Sequence, residues 1–129
     1  MQLIYPLFNT KNILFKANAA RKIYVSSHNA LQSPKYDSNT ALGFAAESYV
    51  LERMKEMGHH PTFFRSRDSE IDFLLPQQMQ AFEVKFTSQI DNLKTLKNFC
   101  RKENFQPKVI SLNRLETLAD IEYIPACLY

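Results

Sequence analysis

Two short alternating segments separated by a polar loop constrain this chain more than any other feature. Apolar and charged residues alternate along 70–73, a loop follows after Leu75, and the alternation resumes along 82–86. A period of two is typical of β-strands, in which successive side chains point to opposite faces of a sheet. The two segments therefore predict a β-hairpin. Its polar side carries three carboxylates and one amine, those of Glu70, Asp72, Glu83 and Lys85.

The loop length predicts the register of this hairpin. An even loop around Gln77 and Gln78 keeps apolar side chains together, with the pairs Phe73–Phe82, Ile71–Val84, Asp72–Glu83 and Glu70–Lys85. Two acids opposed on adjacent strands repel, which costs stability unless a cation lies between them or one acid stays protonated. We interpret the opposed pair as the sign of a divalent metal site.

Composition is that of an ordinary soluble protein. The chain has 129 residues, 45% hydrophobic and 22% charged, enough for one domain with a real core. No apolar run reaches membrane-spanning length and the first residues lack a signal-peptide pattern, so we expect a cytoplasmic protein without a membrane segment. A net charge of +3 does not by itself indicate nucleic-acid binding. Without a Gly-x-x-x-x-Gly-Lys-Ser/Thr motif, ATP hydrolysis is not expected of this chain.

The remaining pattern predicts an α/β sandwich. Residues 1–40 read as N-terminal strands and a linker, the tail of a preceding region, and 41–129 as the folded domain. The predicted elements of that domain are a helix over 41–57 ended by Gly58, a strand over 61–65, the hairpin, a helix from Asp91 to about 104, and strands over 108–112 and 121–124. The core order is αβββαβ, which predicts a mixed central sheet flanked by helices.

Glu47 stands out in the first helix of this domain. Helical spacing places it inside an apolar arc, so we expect it to face the core side rather than water. The arc consists of Leu42, Gly43, Phe44, Ala46, Val50, Leu51, Met54 and Met57, and the opposite side of Ser48, Glu52, Lys55 and Glu56.

These residues resemble the PD-(D/E)xK nuclease superfamily, whose members share the same order of elements. The matching residues are Glu47 on the first core helix, Asp72 in Glu-Ile-Asp-Phe on the second strand, and Glu83-Val84-Lys85 on the third. More narrowly, the chain is similar to the uncharacterised nuclease-like domain that follows the ATPase module in many prokaryotic AAA+ proteins. Short matching motifs support this similarity, namely Lys22-Ile23-Tyr24, Leu42-Gly43, Phe64-Arg65 and Pro125. The chain departs from the family at Ser26-Ser27-His28, where that family usually has an aspartate.

The resemblance implies a restriction-endonuclease-like fold and a Mg²⁺- or Mn²⁺-dependent DNA phosphodiesterase. Hard oxygen ligands suit Mg²⁺, and the expected set is Asp72, Glu83, the backbone carbonyl of Val84 and Glu47, directly or through water. Lys85 would activate water and stabilise the transition state. Accessory candidates are Gln89, Glu70 and Arg65. We expect an ATPase module in the same or a partner chain, with this chain its C-terminal part or a stand-alone remnant.

Several alternatives remain open from the sequence. Asp72 and Glu83 could be solvated acids on an exposed face. Glu70 is favoured as a structural ion pair with Lys85 over a metal ligand, and Arg65 as a salt-bridge partner over a phosphate contact. The lysines of the second helix fit a solvated face better than a nucleic-acid contact. The whole domain could also be a catalytically inactive module that binds nucleic acid or protein and regulates an attached ATPase.

Overall fold

The computed structural model describes residues 4–8, 21–25, 38–86 and 93–129. Two helices and eight strands lie within these residues, together with two short 3-10 turns. In chain order they are β1 (Ile4–Phe8), β2 (Arg21–Val25), α1 (Ser38–Glu56), β3 (Thr62–Ser66), β4 (Ser69–Leu75), the turn Pro76–Gln78, β5 (Gln80–Lys85), α2 (Lys94–Glu103), β6 (Gln106–Ser111), β7 (Glu116–Leu118), β8 (Ile121–Pro125) and the turn Ala126–Leu128.

Six of the strands form one mixed sheet in the order β3-β4-β5-β6-β8-β7. Short turns make β3, β4 and β5 antiparallel neighbours, whereas α2 carries the chain across so that β5 and β6 run parallel. β6 and β8 are also parallel, and β7 returns antiparallel to β8. The predicted mixed α/β class is confirmed. β1 and β2 form a separate antiparallel pair, from Ile4 opposite Val25 to Phe8 opposite Arg21.

The first helix ends as its sequence predicts. The N–H of His59 donates to the Met54 carbonyl and the N–H of Gly58 to the Lys55 carbonyl, both over 2.9 Å. This pair of bonds is the Schellman arrangement, which requires a left-handed residue at the position that Gly58 occupies with φ +79°. Glycine adopts that conformation without a steric penalty.

The buried face of α1 differs from the predicted arc. Leu42, Phe44 and Met57 are 39–45% exposed, and Gly43 is exposed as well. The buried side chains are Ala41, Ala45, Ala46, Ser48, Val50, Leu51 and Met54. Apolar residues occur on every side of this helix, so its own pattern favours no single face. The sheet selects the face on which small residues permit close approach.

The core has two layers because helices cover both faces of the sheet. One cluster joins Val50, Leu51 and Met54 of α1 to Phe73, Leu75 and Phe82. The other joins Leu96 and Cys100 of α2 to Ile71, Leu74, Ala81 and Val109. Burial on both faces explains why residues 71–75 are all buried, where strict alternation would leave every second one in water.

An irregularity in β4 changes which face each of its side chains occupies. Phe64 pairs with Ile71 and Thr62 with Leu74, so β4 has one residue more than β3 over this stretch. Such a bulge interrupts the alternation. Ile71 consequently packs in the α2 cluster and Phe73 in the α1 cluster, and the prediction that they share a face is wrong. Asp72 lies between them, within the bulge.

The remaining predicted strands agree with the structure only in part. The strand over 61–65 appears as Thr62–Ser66, and Pro125 belongs to the last strand rather than following it. The strand Glu116–Leu118 was not predicted, since its three residues are all exposed and carry no apolar alternation. Residues 13–15, an apolar segment of the predicted N-terminal strands, and the predicted helix start at Asp91 lie outside the described residues. No helix of the described part is long and apolar enough to cross a membrane.

Candidate carboxylate site

The site lies where the hairpin ladder ends. β4 and β5 pair through Phe73–Phe82, Leu74–Ala81 and Leu75–Gln80, so the predicted Phe73–Phe82 pair is confirmed. The other predicted backbone pairs, Ile71–Val84, Asp72–Glu83 and Glu70–Lys85, do not form. Within 69–85 no backbone pair joins these strands beyond Phe73–Phe82. Each strand continues against its other neighbour instead, β4 against β3 and β5 against β6. Asp72 and Glu83 are the first residues past this end.

Asp72 bridges the two strands with its side chain. Its Oδ2 accepts a hydrogen bond from the backbone N–H of Val84 over 2.9 Å, and the residue is only 9% exposed. In an extended strand the N–H and C=O of one residue point to the same edge, as they do in hydrogen-bonded strand pairs. The Val84 carbonyl therefore faces the same edge as Asp72, as a metal-ligand role for that carbonyl requires.

Glu83 is a buried acid beside another acid. It is 8% exposed, and burial raises its pKa from 4.5 to about 8, helped by the negative charge of Asp72 and by a hydrogen bond between the two carboxyls. Lys85 lowers this pKa, but by less than burial raises it. At neutral pH without a cation, Glu83 is therefore protonated and donates to Asp72. The sequence alternative of two solvated acids is wrong.

Lys85 stands at the open side of the pair. Its Nζ lies 3.7 Å from Glu83 Oε2, and its side chain is 38% exposed, so the amine reaches both Glu83 and solvent. In the parallel ladder its partner is Ser111, a buried residue at the end of β6. Ser111 Oγ accepts the N–H of Arg114 over 2.9 Å and thereby closes a turn. Ser111 supports the strand that carries Lys85.

Glu47 approaches the pair without being buried in the core. The side chain is half-buried, between the buried neighbours Ala46 and Ser48. Its negative charge raises the pKa of Glu83, as the weakest of the causes that act on that group. This ranking fits a charge near the site that does not touch Glu83. The prediction that Glu47 faces the core is therefore met only in part, because its side chain is half-buried.

Glu70 does not belong to the acidic pair. Arg65 binds its Oε2 through two nitrogens, Nε and one terminal nitrogen, each over 2.8 Å. The two residues are direct partners in the β3–β4 ladder. The predicted ion pair of Glu70 with Lys85 is wrong, because the β4–β5 ladder ends before Glu70 and so does not place the two opposite each other. The salt-bridge interpretation of Arg65 is confirmed.

The donor set fits a hard divalent cation chemically. Two carboxylates and a backbone carbonyl are oxygen ligands of the kind Mg²⁺ and Mn²⁺ prefer. Among the described residues, no three His, Cys, Asp or Glu side chains are grouped as a metal-binding set. Asp72 and Glu83 instead share a hydrogen bond, in which protonated Glu83 is the donor. Gln89 lies outside the described residues.

A surface groove of about 410 Å³, which was not predicted from the sequence, lies between α2 and the β3–β4 hairpin. Lys94, Asn98 and Lys102 line one side of it, and Phe64 and Phe99 also contribute. The signal was present in the sequence, because residues at positions i, i+4 and i+8 share one helix face.

Fold and site together define a mixed α/β domain with a buried carboxylate pair at a fork in its sheet. Residues 42–129 match the family described as Domain of unknown function (DUF4143), and the chain belongs to this family. The match includes every described site residue from Glu47 to Lys85. Domains of this family are often found at the C-terminus of AAA ATPases. No curated protein and no solved structure matches the chain.

Proposed function

We propose that this domain is a Mg²⁺- or Mn²⁺-dependent nucleic-acid phosphodiesterase with a restriction-endonuclease-like fold. The observation that carries the proposal is the buried, proton-sharing pair Asp72–Glu83. Two buried acids side by side destabilise a protein, and a divalent cation that replaces their shared proton converts this cost into binding energy. The resemblance to PD-(D/E)xK nucleases supports the same assignment.

Each residue has a distinct part in the proposed reaction. The N–H of Val84 fixes the orientation of Asp72, so this ligand is held in place before a cation arrives. Glu83 would release its proton to solvent when the cation binds. A bound Mg²⁺ would lower the pKa of an attacking water and offset the charge that develops on the phosphate. Glu47, whose negative charge acts on Glu83, would contact the cation through water.

Lys85 is the catalytic residue of the proposal. Its ammonium lies beside the Glu83 carboxyl and keeps access to solvent, from where both water and a phosphate diester approach. The Lys85 ammonium at this position would orient the attacking water and stabilise the negatively charged transition state. Arg65 and Glu70 are assigned a structural role, because their ion pair ties β3 to β4.

The proposal includes partnership with an ATPase. The family context supports an AAA module in the same or a partner chain. Energy from that module would open or translocate the nucleic acid on which this domain acts. The cytoplasmic location stays a prediction from the sequence.

A metal titration beside a cleavage assay tests the proposal. We expect Mn²⁺ to bind by calorimetry and to support nicking of supercoiled plasmid. Glu83→Gln should abolish both, whereas the matched control Glu56→Gln, an acid whose side chain is 62% exposed, should leave both unchanged. Metal binding without cleavage of single-stranded, duplex, flapped or branched DNA, with and without the ATPase, would refute catalysis.

The second candidate is a non-catalytic module that regulates the ATPase. One observation favours it: the acidic pair is already satisfied internally, by the N–H of Val84 and by the proton shared with Asp72. A site that has replaced its cation with a proton would have this appearance. Absence of a metal effect on stability at millimolar Mg²⁺ and at pH above 8 would select this candidate.

A further inference from the structure

The groove between α2 and the β3–β4 hairpin has an aromatic floor. Phe64 and Phe99 are half-buried, with ring centroids 4.8 Å apart and planes inclined by 49°. Both rings belong to the α2 side of the core, and both also line the groove. A floor of this kind offers planar apolar surface to a planar ligand.

The rim of the groove is basic and polar. Lys94 and Lys102 are exposed, and neither forms an ion pair with another described residue. Thr95 and Asn98 stand between them along the groove, and Glu103 is the one acid among its described lining residues. The first turn of α2 contains no acidic residue, so its positive end reinforces Lys94.

We propose that this groove binds single-stranded nucleic acid, with phosphates against Lys94 and Lys102 and bases against Phe64 and Phe99. Eight residues of helix at about 1.5 Å each separate the two lysines by roughly 12 Å along the axis. That distance spans roughly three to four nucleotides of a stacked strand at 3.4 Å each. Unpaired bases expose the faces that stack on aromatic rings, whereas a duplex hides them.

The groove and the carboxylate pair share strand β4. Ser69 lines the groove at the start of β4, and Asp72 follows three residues later on the same strand. At about 3.3 Å per residue, roughly 10 Å of strand separates them. A bound nucleic acid that continued from the groove along β4 would reach the acids. This inference deepens the proposed function by naming its substrate, and it rests on that function for its biological meaning.

Fluorescence anisotropy with a labelled 12-nucleotide oligo-dT tests the groove in EDTA, where no cleavage occurs. Lys94→Ala with Lys102→Ala should weaken binding at least tenfold and reduce the salt slope by about one to two units. The matched control is Lys97→Ala with Arg101→Ala, which removes the same charge from exposed positions outside the groove lining. It should weaken binding less than twofold. Phe99→Leu should also weaken binding, without changing the salt slope.

Two comparisons complete the test. Oligo-rU in place of oligo-dT reports on the sugar, and tighter binding of either strand than of a 12-base-pair duplex supports the proposal. Equal loss in the two double variants, equal affinity for duplex, or no binding by the wild type overturns it. Binding at the groove without nicking in Mn²⁺ refutes the proposed function alone. Nicking that is unaffected by Lys94→Ala with Lys102→Ala refutes the groove alone.

Discussion

The Asp72 carboxylate accepts the backbone N–H of Val84 over 2.9 Å, at the point where β4 and β5 cease to pair. A side chain thus takes the place of the backbone carbonyl that would continue the ladder. This hydrogen bond orients the Asp72 carboxylate, and it forms without any ligand. The same bond brings Asp72 beside Glu83.

Stability in metal-free buffer should fall as the pH rises from about 4.5 to about 8. In this range unfolded Glu83 has lost its proton while folded Glu83, with a pKa of about 8, retains it, so the folded state binds more protons. The total effect is several kcal/mol at most, at about 1.4 kcal/mol per unit of pKa. Below this range both states are protonated, and above it neither is.

Glu83→Gln isolates this effect, since the amide mimics the protonated acid. Denaturant unfolding in EDTA at pH 5, 7 and 8.5 measures the free energy of unfolding. The value for the variant should rise relative to that of the wild type as the pH rises. The difference between Glu56→Gln and the wild type should stay constant. A wild type that loses no more stability than Glu83→Gln across this range would show that Glu83 is ionised in the folded protein.

Mg²⁺ or Mn²⁺ should raise the melting temperature, because a ligand that binds only the folded state stabilises it. The gain should increase as the pH approaches and passes 8, since the cation must displace the Glu83 proton. Asp72→Asn should abolish the gain while keeping an oxygen that accepts the N–H of Val84. Differential scanning fluorimetry measures this, and an equal metal effect in Asp72→Asn would place the cation elsewhere.

Lys85→Met should remove metal-dependent nicking and leave metal binding in place. The lysine acts on water and the transition state more than on the ground state, so kcat should fall by at least 10²-fold with little change in KM. The ion pair of Arg65 with Glu70 remains intact in this variant, so no compensating change at Glu70 is required. Equal loss of metal binding would make Lys85 a structural residue.

Glu47→Gln should lower the pKa of Glu83 slightly, since it removes the weakest of the charges that raise it. The apo protein should become somewhat more stable at pH above 8, where Glu83 is ionised and its repulsion from Glu47 is removed, and Mg²⁺ should bind less tightly. ¹³C NMR titration of the glutamate carboxyls reports the pKa directly. A Glu47→Gln protein that is strongly destabilised without metal would indicate that Glu47 makes a structural hydrogen bond.

The two glycines should respond to alanine in opposite ways. Gly58→Ala should destabilise the protein by about 1 kcal/mol, because alanine is strained at a φ of +79°. Gly43→Ala should stabilise it by about 0.5–1 kcal/mol, because a Cβ there meets nothing within 4 Å in the middle of α1. Equilibrium unfolding in urea measures both. A gain in stability for Gly58→Ala would be inconsistent with the observed helix end.

Local sequence patterns predicted most of the described elements and the central pair of the hairpin. Local signals sufficed for the end of α1 at Gly58, and a four-residue loop between Leu75 and Gln80 fixed Phe73 opposite Phe82. Alternation and loop length act within a few residues, so they can be read without knowledge of distant contacts. The candidate acids Asp72 and Glu83 and the lysine beside them followed from the same local pattern.

Only the tertiary structure decided how these residues are used. The bulge at Asp72 depends on pairing with β3, and it moved Ile71 to the opposite helix layer from Phe73. Because the β4–β5 ladder ends before Glu70, this residue forms its ion pair with Arg65 instead of Lys85. Burial raised the pKa of Glu83 to about 8. Burial, bulges and electrostatic coupling arise from segments distant in sequence, so no local pattern can contain them.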